Sequence, residues 1–307
     1  MSEPRRGIPI GGPSAIVCRG LTKDYGKGRG LFDLDLDISR GEIFGFIGPN
    51  RAGKTTTIRL LMDLIRPTGG SAEVLGMDAH ADGLAIKRRI GYLPGELAQF
   101  PGARARHVLD LLSGLRGGVD PGRIRALAVR LDLELNRRYS DLSHGNKQKV
   151  GLIQAFMHAP EVLILDEPTM GLDPLIQREF WRLVDEAVSG GATVLLSSHV
   201  LAEVESGCDR IGLIREGRLV RIGSLTELRA VKVHRVEARL DEPVTEGLLA
   251  GLPGVTEVEA RGDKVTCAVQ GPVGPLLARL LEHSVIEMDS RELSLEEVFL
   301  REFEPSA

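Results

Sequence analysis

The chain has 307 residues, 42% of them apolar and 27% charged, which excludes a fibre or a long disordered chain and allows about two folded domains. Its formal net charge of −4 provides no basic field that could hold nucleic acid by counterion release. Cys18, Cys208 and Cys267 are widely separated and lack Cys-x-x-Cys spacing, which fits reduced thiols in the cytosol and excludes a disulfide framework or zinc site.

The first 14 residues, rich in Pro, Gly and Arg, lack the apolar centre of a secretory signal and read as a flexible tail. No later apolar run approaches the roughly 18 to 20 residues of a membrane-spanning helix. From about residue 15 to 230, short β-rich runs alternate with helical patterns, the signature of an α/β layered domain. Glu42 to Ile47 reads as a buried strand and Thr55 to Ile65 as a helix. Between them Gly48-Pro49-Asn50-Arg51-Ala52-Gly53-Lys54-Thr55 matches G-x-x-x-x-G-K-[ST] at every fixed position. Such a loop turns its backbone N–H groups toward a triphosphate at the positive end of the helix dipole. Lys54 then meets the β and γ phosphates, Thr55 offers a hydroxyl to Mg2+, and Thr56 completes the ATP-binding set. A glycine-rich turn with an accidental lysine would not explain the strand before it and the helix after it.

Residues 84 to 155 hold Leu109, Leu111, Leu112 and Leu115, an apolar surface candidate or, preferably, local core. Leu142-Ser143-His144-Gly145-Asn146-Lys147-Gln148-Lys149 opens a helix there. Ser143 is its N-cap and Gly145 permits close backbone approach, so this helix start is also suited to an anion. Val162 to Leu165 is an apolar strand that ends in Asp166-Glu167-Pro168. Adjacent carboxylates at a strand end are costly to bury unless a cation offsets them. Asp166 therefore reads as a magnesium ligand, and Glu167 as the base that deprotonates a water attacking the γ-phosphate. An acidic strand end facing solvent is the plainer alternative. Gly171-Leu172-Asp173-Pro174 marks a turn, and Thr193 to Ser198 a further buried strand that ends at His199.

Residues 231 to 307 change character. Val231–Leu240, Val255–Ala260, Lys264–Val269 and Ser284–Ser290 read as strands. Thr245–Ala250, Val273–His283 and Leu295–Phe303 read as helices. The order β-α-β-β-α-β, with an extra terminal helix, is that of a small α+β, ferredoxin-like unit.

The segment from Leu142 to Lys149, set between Gly48–Thr55 and Asp166–Glu167, resembles the signature of ABC ATPases. The resemblance covers roughly residues 15 to 230 and implies an α/β, P-loop ABC ATPase domain with a helical subdomain at about residues 84 to 155 that would meet a membrane partner. It also implies a homodimer in which Ser143 and Gly145 of one copy point at the γ-phosphate held by the other, with Asp173 coupling the two across their shared face. Tyr25 takes the place of the aromatic that stacks on adenine, and His199 that of the switch histidine at the γ-phosphate. The implied activity is Mg2+-dependent ATP hydrolysis. The implied partner is a membrane permease that holds the chain at the cytoplasmic face of the membrane. Tyr92 to Leu97, Ser197 to Gly223 and Leu293 to Phe299 further resemble ATP-binding subunits of bacterial antibiotic and multidrug efflux systems, which implies export. An importer ATPase is one alternative. A soluble ABC ATPase of DNA repair or translation is another, disfavoured by the single nucleotide module and the absence of a long heptad array. Departures from the family pattern are Arg51 and His144 in place of glycines, and Gly95-Glu96 where a glutamine is usual, with Glu96 or Gln99 as its substitute.

Overall fold

A computed structural model of the chain describes residues 12–205, 207–224, 227 and 233–293. The chain divides into two compact units, Met1–Gly223 and Ser224–Ala307.

In the first unit β1 (Ser14–Asp24) and β2 (Gly30–Ser39) form an antiparallel pair. They are followed by β3 (Ile43–Ile47), α1 (Lys54–Leu61), β4 (Gly69–Val74) and β5 (Met77–Asp78). Next come α2 (Gly83–Arg89), β6 (Ile90–Leu93), α3 (Ala105–Gly114), α4 (Pro121–Arg130) and α5 (His144–Phe156). The unit continues through β7 (Val162–Asp166), α6 (Pro174–Ser189), β8 (Thr193–Ser198), α7 (Leu201–Glu205), β9 (Arg210–Arg215) and β10 (Arg218–Ser224). Two sheets result, an antiparallel one in the order β2-β1-β4-β5 and a six-stranded one in the order β10-β9-β3-β8-β7-β6.

Strands β3, β7 and β8 are buried at every residue. Their sequences accordingly read as unbroken apolar runs rather than alternations, as parallel strands covered on both faces do. β3 and β7 both pair parallel with β8. In that register Ser197 lies opposite Phe46 of β3 on one side and Asp166 of β7 on the other. The carboxyl ends of the three strands are thereby aligned, the position at which open α/β sheets bind ligands. Phe44, Phe46, Ile58, Leu61, Ile164 and Leu195 are fully buried around this sheet. Each such side chain contributes roughly 1.5–3 kcal/mol.

α1 stops four residues short of the expected Ile65. Met62 N–H bonds to Ile58 O, Asp63 adopts a left-handed φ of 50°, and Leu64 N–H returns to Arg59 O at 2.9 Å. This is the Schellman closure, with aspartate in the place that glycine usually fills. The stretch 84–155 is not helical throughout, because Ile90–Leu93 leaves it to pair with β7 as the edge strand β6. Its leucines divide: Leu109 is buried, Leu112 is partly buried, and Leu111 and Leu115 are exposed, Leu115 by 76%. The preferred reading of all four as core therefore holds only in part, since α3 turns Leu111 and Leu115 away from the residues that α5 covers.

In the second unit β11 (Val233–Leu240), β12 (Val255–Arg261), β13 (Lys264–Gln270), α8 (Gly274–Leu281) and β14 (Val285–Glu292) follow one another. The sheet order is β12-β13-β11-β14, antiparallel throughout. The first expected helix is a single 3-10 turn, Glu246–Leu249. Both crossovers pack on a core of Val236, Leu240, Val265, Val269, Leu276 and Leu280, as a split βαβ arrangement requires. The expected helix Leu295–Phe303, the strand residues Val231 and Lys232 and most of the N-terminal tail lie outside the described residues.

All three cysteines are buried, and none is in a disulfide among the described residues. Burial pushes the Cys18 thiol up to about 12, with the Asp35 charge adding to it, and the Cys267 thiol up to about 11.

Candidate functional site

The loop from Gly48 to Gly53 leaves β3 and returns into α1 against β9. A Cβ on Gly48 would stand 2.3 Å from Ile214 O, and one on Gly53, whose φ is +119°, 2.8 Å from the Ile214 side chain. Both positions therefore require glycine, the first by close approach and the second also by backbone conformation. Arg51, also at positive φ (69°), has no such relief and holds a conformation that costs a side-chain-bearing residue roughly 1–2 kcal/mol. Its side chain is exposed and lines the cavity at the loop.

Lys54 is only 6% exposed. Its ammonium donates to Gly48 O at 2.5 Å and Pro49 O at 3.3 Å, and lies 3.3 Å from Glu167 Oε1. Thr55 Oγ1 donates to Asp166 Oδ2 at 2.8 Å, while Ser197 Oγ donates to Asp166 Oδ1 at 2.5 Å. Glu167 Oε2 is 2.8 Å from His199 Nδ1. Four elements thus converge: α1 with Lys54 and Thr55, the end of β7 with Asp166 and Glu167, the end of β8 with Ser197, and the turn after it with His199.

A cavity of about 1000 Å³ opens on this cluster. It is lined by Tyr25, Pro49, Asn50, Arg51, Ala52, Gly53, Lys54, Thr55, Thr56, Asp166 and Glu167, whereas Gly48, packed close to Ile214, is not part of that lining. Tyr25 is half exposed, and the Lys23 ammonium sits 5.6 Å from its ring centroid. Glu96 also lines the cavity, whereas Gln99 does not and faces Lys147 Nζ at 3.5 Å. Of the two proposed substitutes for the missing glutamine, Glu96 is the one at the site.

Ser143, Gly145 and Asp173 stand apart from this cavity. Ser143 caps α5 by accepting from Asn146 N–H at 3.3 Å, and Asp173 caps α6 by accepting from Leu175 and Ile176 N–H at 3.0 and 3.1 Å. They are nonetheless neighbours, because a Cβ on Gly145 would lie 2.4 Å from Gly171 O. The start of α5 and the turn before α6 therefore form one tightly packed surface.

Some members of the site are not evident from sequence. Ser197 is silent without the register between β7 and β8. Tyr92 lines the cavity, its hydroxyl pushed up to about 12 by burial and by the Asp166 charge. Glu203 Oε2 accepts from Thr169 Oγ1 at 2.6 Å and Ser198 Oγ at 3.0 Å, tying the turn after Glu167 to the residue before His199. A serine and threonine two places from a motif give no signal of such a bridge.

Glu167 itself has a φ of 50°. Strain of this kind persists only where the surroundings over-determine the backbone. Here Glu167 N–H is held by Ser197 O at 3.2 Å and Ser197 Oγ at 3.1 Å, and Met170 N–H donates to Glu167 O at 3.2 Å.

The arrangement offers a cationic, N–H-rich loop for phosphates, two hard oxygen donors side by side, and a carboxylate held between an ammonium and an imidazole. Comparison with known proteins agrees. The family description "ABC transporter" matches residues 31–170. The protein named "Probable multidrug ABC transporter ATP-binding protein YbhF" of Escherichia coli (strain K12) is 36% identical over 224 residues, 71% of this chain. The chain spans only 39% of that relative's length. The daunorubicin resistance ATP-binding protein DrrA3 of Streptomyces coeruleorubidus is 36% identical over 302 residues, covering 94% of this chain and 95% of DrrA3. A solved structure described as the ATP binding subunit of an ABC transporter superposes with a TM-score of 0.65 at 28% identity, over 71% of this chain and 92% of that one. With a phosphate loop, a paired carboxylate turn and a capped signature helix on one α/β sheet, the chain belongs to the ABC transporter family and is one of its ATP-binding cassettes.

Proposed function

We propose that the chain is an ATP-hydrolysing subunit that works as a homodimer and energises export of drugs or antibiotics through a separate membrane permease at the cytoplasmic face of the membrane. The observation that carries hydrolysis is the placement of Glu167 between Lys54 and His199 at the mouth of the phosphate loop. Among the described residues no helix is long and apolar enough to cross a membrane. Export is supported by the relatives: YbhF is named as a probable multidrug transporter protein and DrrA3 as a daunorubicin resistance protein.

Mg2+ fits the donors present. Asp166 is 1% exposed and receives only hydroxyl donors among the described residues, a buried carboxylate that a cation would offset. Thr55 Oγ1 and Asp166 Oδ2 would hold the ion, which when bound neutralises charge on the phosphate oxygens. Lys54 and the loop N–H groups bind the β and γ phosphates, and Tyr25 offers a flat face to adenine. Glu167 accepts the proton of the attacking water at its carboxylate, and His199 orients that carboxylate through Oε2. Ser143, Gly145 and Asp173 of a second copy would close the site over the γ-phosphate, which accounts for their distance from the cavity of their own chain.

The test is reconstitution with the membrane protein that co-purifies with the chain, in vesicles carrying the cassettes outside. ATP should drive a labelled amphiphilic drug into the lumen. ATP-driven movement out of the lumen, or none for any amphiphile, would overturn the export reading.

A further inference from the structure

α5 carries a buried amide that the reaction as described does not use. Gln148 is 1% exposed, and its Nε2 donates to Glu167 O and to Pro168 O, each at 3.1 Å. Its Oε1 is buried with no hydrogen-bond partner among the described residues. The reverse orientation of the amide would aim Oε1 at two carbonyl oxygens, so both N–H bonds are assigned to the Glu167 turn. An apolar side chain would fill this position without the cost of an unpaired buried acceptor. What the amide supplies is the pair of bonds to the turn whose first residue, Glu167, sits at positive φ.

We infer that Gln148 is a positioning residue for hydrolysis: through the carbonyls of Glu167 and Pro168 it holds Glu167 in its left-handed conformation and ties it to the helix that Ser143 caps. The inference rests on the reading of Glu167 as the base. The bond to Glu167 O is shared with Met170 N–H, but among the described residues Gln148 is the one α5 side chain that hydrogen-bonds the carbonyls of Glu167 and Pro168. Gln148 lies in the second turn of the helix whose first turn carries Ser143 and Gly145. Any displacement of α5 when a second copy engages those residues is therefore delivered to the Glu167 backbone. Turnover becomes sensitive to dimer closure at an atom that touches neither nucleotide nor water.

The experiment compares Gln148→Met, which keeps the length and removes both donors, with Gln148→Asn, which keeps the amide one methylene short. Both are made in the full chain and in the Glu167→Gln background. Gln148→Met should lower kcat about 10- to 100-fold, the scale of a small misplacement of a catalytic group, with KM for ATP and the ATP dissociation constant within about twofold of the parent. Gln148→Asn should fall between the two. In the Glu167→Gln background Gln148→Met should cause no further loss, because the two act through one group. Parent-like kcat in a folded Gln148→Met protein, or equal loss in both backgrounds, would overturn the inference. If Gln148→Met does not fold, Gln148→Asn decides by the same criteria. Normal turnover by Glu167→Gln alone would instead overturn the assignment of Glu167, which keeps the two failures distinct.

Discussion

His199 Nδ1 stands 2.8 Å from Glu167 Oε2, while the other oxygen of the same carboxylate lies 3.3 Å from Lys54 Nζ. The carboxylate is thus held by a residue beyond β8 on one side and by the first residue of α1 on the other. Glu167→Gln removes the proposed proton acceptor and keeps the shape. Steady-state phosphate release should fall by about 100-fold or more, with ATP retained in a stable dimer on size-exclusion chromatography. His199→Ala should lower turnover while leaving nucleotide affinity close to the parent value.

The separation of Ser143 from the cavity leads to a mixing experiment. Lys54→Ala chains and Ser143→Arg chains should each be inactive alone. In a two-fold dimer built head to tail, a mixed pair carries one site with both defects and one with neither. Combining equal amounts should restore about one quarter of the parent ATPase sites by random pairing. Absence of recovery, with mixed dimers demonstrated, would contradict the trans arrangement.

Arg51 holds a left-handed backbone that glycine adopts freely. Arg51→Gly should preserve ATPase activity and leave thermal stability equal to or slightly above the parent, the relief of roughly 1 kcal/mol being partly offset by chain entropy. Arg51→Val should lower the melting temperature, since β-branching is least tolerated at positive φ. Paired thermal melts decide the matter.

Burial, the nearby Arg116 guanidinium and Arg123 together push His158 down to about 4. In the unfolded chain it titrates near 6.5. A histidine depressed on folding stabilises the native state above its unfolded value, and that contribution is lost as pH falls from about 6.5 toward 4. The shift corresponds to about 3 kcal/mol at most. His158→Gln should flatten the decline of stability between pH 6.5 and 4 in urea titrations.

The sequence carried the parts of the site that are contiguous. Gly48 to Thr55 could be placed between a strand and a helix because each has its own periodicity, and Asp166-Glu167 because an apolar run ends there. The order of elements in the second unit was legible for the same reason. Ser197, Gln148 and Glu203 were not, since their roles arise from the register of β8 against β7 and from the facing of α5 and α7, long-range relations with no local pattern. The early stop of α1 was missed because an aspartate, Asp63, fills a position that glycine usually announces. The exposure of Leu111 and Leu115 was obscured by a leucine-rich helix that reads equally well as core.

The two oxygens of Asp166 are unequal: Ser197 fastens Oδ1 to the neighbouring strand, leaving Oδ2 on the Thr55 side. A carboxylate divided in this way would be a one-armed ligand for the magnesium proposed there. Large ions such as calcium favour many oxygens and readily take carboxylates as chelating pairs, whereas the smaller magnesium is content with a single oxygen and retained waters. Discrimination between the two divalent cations would then reside in a serine that touches neither of them.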